Sequence, residues 1–205
     1  VVGSAVTIDN TAPTLTLVGI LSSSLTNTAY AKVGDDVTLT ITSDEDLAAA
    51  PTVFIAGIAV TPDVNSATSY EAVLTMASGH TQTDAPMAIS IVFSDVVGNP
   101  GTEVIATNNS SSVIFDKTVP ALGEVTIYTN NDNTAYAKEG SIITLEFTAA
   151  NTENLLADPT VTILTKAATV SGSGASWTAT YTTLTGDVED TVPFTIDFFD
   201  YAGNA

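Results

Sequence analysis

The side chains able to do chemistry are almost all oxygen donors. The chain carries 23 Asp and Glu against 4 Lys and Arg, one His and no Cys. Its acids and amides gather in short groups: Asp9 and Asn10, then Asp44, Glu45 and Asp46, then Asp95 and Asn99. A second series follows, with Asp116, then Glu153 and Asn154, then Asp200 and Asn204. Carboxylate and amide oxygens are the ligands of hard cations, calcium above all, and several carboxylates brought together are costly without one. The sequence therefore points to calcium as the cofactor. Its ligands are expected among Asp9, Asn10, Asp44, Asp46, Asp95, Asn99, Asp116, Glu153, Asp200 and Asn204. The second series is poorer in charge and should hold the ion less tightly. A second use of the same residues stays open, since Asp and Asn beside Pro or Gly also form turns by hydrogen-bonding their own backbone.

Other chemistry is poorly supplied. His80 has no second imidazole for a zinc site and no nucleophile motif for a triad, and the absence of Cys removes thiolate chemistry and disulfides alike. Aromatic residues make up 7% of the chain, too few for the aromatic-lined cleft of a two-carboxylate glycosidase. We expect no enzyme. A formal charge of −19 repels phosphate backbones and anionic headgroups, so nucleic acid and direct membrane insertion are not expected. No run of about 18 apolar residues is present. The N-terminus has neither Met nor a signal-type stretch, which reads as a mature protein or an excerpt.

The elements that would position these acids are written twice. Asp9-Asn10-Thr11-Ala12-Pro13 returns as Asp116-Lys117-Thr118-Val119-Pro120, and Asn27 to Lys32 returns unchanged as Asn133 to Lys138, followed by Gly34 and Gly140. Pro51-Thr52-Val53 returns as Pro159-Thr160-Val161, and Ser69-Tyr70 as Ser176-Trp177. Phe93-Ser94-Asp95 with Gly98-Asn99 returns as Phe198-Phe199-Asp200 with Gly203-Asn204. The offset is 105 to 108 residues throughout, and the order is kept.

Within each copy the apolar period is two. Val37, Leu39 and Ile41 alternate with Thr, as do Ile143, Leu145 and Phe147 with Thr and Glu, which is the pattern of half-buried strands. No helical stripe interrupts it. The expected strands of the first copy are 14–22, 36–43, 52–56, an edge segment near 59–62, 69–76, 88–94 and one within 102–116. Those of the second are 121–129, 142–149, 160–165, 175–183 and 193–199. About seven short strands per repeat, separated by Gly, Pro, Asn and Asp, predict an all-β chain of tandem immunoglobulin-like Greek-key β-sandwiches. In such a sandwich the incoming linker and the loops that follow the second and sixth strands lie at one pole, which is where the acidic groups fall. Tyr70 and Trp177 share one repeat position and are expected to pack rather than to bind sugar.

With the linker Asp-x-Thr-x-Pro, the Ala-Lys-x-Gly turn, the Pro-Thr-Val strand opening and the Phe-x-Asp-x-x-Gly-Asn turn in fixed order twice, the chain resembles the bacterial Ig-like repeats of giant secreted adhesins. The resemblance covers nearly the whole chain. It implies an extracellular or cell-surface location, an array of neighbouring repeats as partners and, in many relatives, calcium at the domain junctions. It implies no ligand of the repeat itself, because such repeats hold a separate binding domain, with its host or surface ligand, away from the cell. The competing expectation is a glycan- or protein-binding module.

The repeat also sets the domains: 1–10 as a last strand plus linker, 11–117 as the first sandwich, 118–205 as a second without its last strand. Val1 to Asp9 aligns with Asn108 to Asp116. Either the sequence is a window from a longer array, or residues 1–9 of one copy complete the second domain of another, head to tail.

Overall fold

The computed structural model describes residues 6–150 and 159–205. The chain divides into two units, Val1–Lys117 and Thr118–Ala205. Unit 1 holds β1 (Leu15–Ser22), β2 (Tyr30–Ala31), β3 (Asp36–Ser43), β4 (Thr52–Ile55), β5 (Ile58–Val60), β6 (Asp63–Ser66), β7 (Ser69–Thr75), β8 (Ile89–Val92) and β9 (Ile114–Phe115). Unit 2 holds β10 (Leu122–Thr129), β11 (Ile142–Ala149), β12 (Thr160–Ile163), β13 (Lys166–Ala167), β14 (Thr169–Ser173), β15 (Ser176–Thr182) and β16 (Phe194–Asp197). Among the described residues there is no helix.

Alternation decides which face of each strand is buried. In β3 every second residue, Val37, Leu39, Ile41 and Ser43, turns inward while the Thr residues between them stay half-exposed. β11 repeats this with Ile143, Leu145, Phe147 and Ala149. β-Branched Thr on the outer face holds the extended backbone without adding an apolar surface.

In unit 1 an antiparallel sheet in the order β1-β3-β7-β6 packs against a second in the order β5-β4-β8, with β2 and β9 paired in parallel beside them. The two inner faces share one core, in which Val18, Leu39, Ile41 and Tyr70 meet Val53, Ile55, Ile91 and Phe115. Unit 2 repeats the pair of sheets as β10-β11-β15-β14 and β13-β12-β16, around Leu145, Phe147, Val161, Ile163 and Trp177. Each unit is thus a β-sandwich. The shared position of Tyr70 and Trp177 serves packing: both are buried, and each polar tip donates to a carbonyl three residues upstream, Tyr70 Oη to Ala67 at 2.6 Å and Trp177 Nε1 to Gly174 at 2.9 Å.

Two expected strands differ. The edge segment expected near 59–62 is two strands, β5 and β6, separated at Pro62, which has no amide to give to a ladder. The strand expected within 102–116 is reduced to β9 and an isolated bridge of Val104 to Ile91. Between them side chains replace the ladder. Asn108 Oδ1 accepts the Val18 amide at 2.8 Å and Ser111 Oγ accepts the Ile20 amide at 2.7 Å, so the outer edge of β1 is satisfied without a strand.

Candidate functional site

The turn after β8 is built on one buried carboxylate. Asp95 is fully buried, and its Oδ1 accepts the amides of Val97 (3.0 Å), Gly98 (2.7 Å) and Asn99 (2.8 Å). Its Oδ2 accepts Asn99 Nδ2 at 2.6 Å. Gly98 has φ +98°, a region that side-chain-bearing residues rarely occupy, which is why the turn carries glycine there. Burial alone would raise the Asp95 pKa, but the bonds from the Asn99 side chain and from the Asn99, Val97 and Gly98 amides outweigh it and hold it below the ordinary value.

The same turn takes hold of the incoming linker. Asn99 Nδ2 also lies 3.0 Å from the Thr11 carbonyl and 3.3 Å from that of Asp9. The segment after β3 grips the linker one step further on, where Asp44 Oδ1 accepts the Thr14 amide at 2.8 Å and Oδ2 the Thr14 hydroxyl at 2.7 Å. Those two bonds, the amide first, lower the Asp44 pKa.

Carboxylate oxygens of Asp9, Glu45 and Asp95 lie within 4.8 Å of one another. They come from the linker, from the segment after β3 and from the turn after β8. Of the residues expected as ligands in the first series, Asp9 and Asp95 therefore meet, Asn99 braces them, and Asp44 is engaged by Thr14. Asn10 and Asp46 are exposed. The third carboxylate is that of Glu45. Its pKa is raised, first by burial and then by the charges of Asp9, Asp95, Asp44 and Asp46.

Calcium–oxygen bonds of about 2.3–2.6 Å allow two ligand oxygens to stand up to roughly 5 Å apart, so these three carboxylates fit one Ca²⁺. Asp9, Glu45 and Asp95 would hold the ion, with backbone carbonyls or water completing its shell. The ion would supply positive charge to a cluster in which Asp95 is already relieved by amide donors and Glu45 by its raised pKa.

The opposing shifts fix a pH dependence. A raised carboxylate pKa means that the folded state takes up its proton first, so Glu45 lowers stability at neutral pH and this penalty fades as pH falls through its folded value, above 4.5. Asp44 and Asp95 have lowered values, so their contributions are present above 3.8 and vanish as pH falls through their folded pKa values. Without added metal, the melting temperature of unit 1 should rise slightly from pH 7 toward pH 5 and fall below 3.8. Glu45→Gln should remove the rise and keep the fall. A titration of melting temperature against pH on both proteins checks this.

In unit 2 the turn is rebuilt with the same parts. Asp200 is buried, Oδ1 accepts the Ala202 and Asn204 amides at 2.9 Å each, and Oδ2 accepts Asn204 Nδ2 at 2.8 Å. Asp116 is half-buried, and its amide bonds the Ala31 carbonyl within unit 1. Glu153 and its neighbour Asn154 lie outside the described residues.

The chain matches no protein-family model and no curated protein. Glu45 is the residue that sequence reasoning passed over as a ligand. Its only signal was its place between two other acids, and neither its burial nor its neighbours can be read from that.

Proposed function

We propose that the chain is a non-enzymatic structural segment of an extracellular bacterial adhesin or surface fibre, in which immunoglobulin-like sandwiches act as spacers and calcium stiffens the point where the linker enters a sandwich. The observation that carries this reading is the lacing of the linker into unit 1. Residues 9–14 are held by Asn99 and Asp44 and end against a three-carboxylate cluster. A spacer transmits length only if its joints resist bending, and cross-linking a linker to two loops removes the freedom that a domain boundary has by default. The two β-sandwiches of antiparallel sheets support the spacer reading, and the written repeat supports an array. Neighbouring repeats are the partners this reading requires.

Calcium titration tests it. A ligand that binds only the folded state stabilises by RT ln(1 + [L]/Kd), which is about 1.4 kcal/mol at ten times Kd. Melting of unit 1 should shift upward by several degrees between chelator and millimolar calcium. Glu45→Gln should shrink that shift, because it removes a ligand charge and leaves the Asp95 turn intact. Equal melting temperatures in calcium and chelator would leave Asp9, Glu45 and Asp95 as a turn and its neighbours.

A further inference from the structure

The turns that follow β7 and β15 are built alike but stapled by different chemistry. Counted from Ser69 and Ser176, His80 and Asp187 share one repeat position. The His80 amide donates to the Ala77 carbonyl at 3.0 Å, and the Asp187 amide to the Leu184 carbonyl at 3.2 Å. Each turn is then closed a second time by the side chain of that last residue. His80 Nδ1 accepts the Ala77 amide at 3.1 Å, and Asp187 Oδ2 accepts the Leu184 amide at 2.8 Å. An imidazole nitrogen accepts only while it carries no proton, whereas a carboxylate stays an acceptor throughout the range in which imidazoles titrate.

The turn of unit 1 also holds the chain where that unit ends. Lys117, its last residue, donates from Nζ to the Ser78 carbonyl at 2.9 Å and to the His80 carbonyl at 2.8 Å. Its amide donates to Gln82 Oε1 at 3.2 Å. Two carbonyls converge on one ammonium only while residues 77–80 keep the shape of the turn, and the bond from Ala77 to the imidazole is one of the two that keep it. The turn of unit 2 has a further brace, since the Tyr181 hydroxyl lies 3.2 Å and 3.0 Å from the two Asp187 oxygens.

The charges around His80 come from three directions. Lys117 and the half-buried Asp116 follow β9, and a proton on the ring would add a second positive charge to the turn that holds the Lys117 ammonium. Asp84 lines the same groove as His80, but it is exposed and its attraction is screened by water. The loop before β3 reaches Met76 through the Gly34 amide and the Asp35 carbonyl, and there the Asp35 carboxylate is taken by the Lys32 amide at 2.9 Å. The remaining neighbours are uncharged. Phe115 meets the imidazole edge-on, with ring centroids 6.5 Å apart, and the β4–β5 hairpin adds Ala56 and Ile58 to the groove.

We propose that the turn 77–80 is an acid-released clasp on Lys117, and that the corresponding turn of unit 2, with Asp187 in place of His80, is not. A proton at His80 Nδ1 sets a second donor against the Ala77 amide, so the staple opens. The Ser78 and His80 carbonyls then part, and the Lys117 ammonium passes to water. The last tie of unit 1 that lies clear of the clasp is the bond from the Asp116 amide to the Ala31 carbonyl at 2.9 Å, so the residues beyond it gain the freedom that a domain boundary has by default. This goes beyond the spacer reading and does not rest on it, since the clasp lies within unit 1 and uses no ion.

Trypsin reads the clasp directly, because it cuts after a basic residue and must draw that side chain into its own pocket. The basic residues of the chain are Lys32, Lys117, Lys138 and Lys166. His80→Asp installs the acceptor of unit 2 and serves as the reference at each pH, so that the protease's own pH dependence cancels. The rate of cleavage after Lys117 in the unmodified protein, divided by that in His80→Asp, should rise several-fold from about pH 7.5 to about pH 5.5, one unit either side of the ordinary histidine value. Chelator is present throughout, which keeps any calcium effect out of the comparison. Amide exchange followed by NMR gives a second readout that needs no variant: the protection factor of the Ala77 amide should fall several-fold over the same interval while that of Leu184 stays level. A cleavage ratio that does not change with pH, or an Ala77 amide as steadily protected as that of Leu184, overturns the proposal.

Discussion

Phe115→Ala is expected to cost unit 1 about 3–5 kcal/mol, the range for truncating a buried aromatic side chain. Phe115 is fully buried although it sits on a strand of two residues. Its backbone is fixed from both sides. Its carbonyl accepts the Thr83 amide at 3.0 Å, and its amide donates to Thr83 Oγ1 at 3.3 Å. The next residue, Asp116, donates to the Ala31 carbonyl at 2.9 Å. A backbone held in this way cannot move inward to fill the space, so the cavity remains and the loss lies toward the upper end of the range. Val64→Ala on the edge strand β6, where the side chain is 61% exposed, should stay within about 0.5 kcal/mol. Calorimetric melting of the two variants makes the comparison. A loss of less than 1 kcal/mol for Phe115→Ala would mean that β9 is weakly coupled to the core of unit 1.

The central strands were legible because both faces of the alternation are strong. In β3 and β11 three inward aliphatic or aromatic residues face Thr or Glu at every intervening position, and a slip of one residue would bury the polar set. The last strand of unit 1 was legible only at Val113 and Phe115. Residues 105–112 are rich in Asn and Ser, and their side chains take over the bonds that a strand would have given to β1. Such substitution leaves no periodic trace. At the site, the convergence of linker and loops follows from topology, and Asp95 follows from the turn motif. The choice among Asp44, Glu45 and Asp46 does not, because three adjacent acids point in different directions and only the fold selects one. Asp44 is turned to Thr14 and Glu45 to the cluster.

Asp200→Ala should destabilise unit 2 by about 2–4 kcal/mol, since it strips the acceptor from two amides and one side-chain amide at a position where the carboxylate is 1% exposed. Asp200→Asn should cost clearly less. Its Oδ1 can still accept the Ala202 and Asn204 amides, and only the bond from Asn204 Nδ2 loses its acceptor. The chain's single tryptophan, Trp177, lies in the core of unit 2, so its fluorescence during urea unfolding reads this unit alone. The pair has a counterpart in unit 1, where Asp95→Asn likewise spares the three amide bonds to Oδ1. If both aspartates serve only as turn staples, the two Asn variants should behave alike in chelator and in calcium. If Asp95 also binds an ion with Asp9 and Glu45, they should match in chelator and diverge in calcium, because one of the two turns then loses a ligand charge as well as a hydrogen bond. The repeated turn thus supplies its own comparison: the same five-residue structure occurs in unit 1 beside a carboxylate cluster and in unit 2 with no such cluster among the described residues, and charge removal at each separates the part that folds the turn from the part that holds a cation.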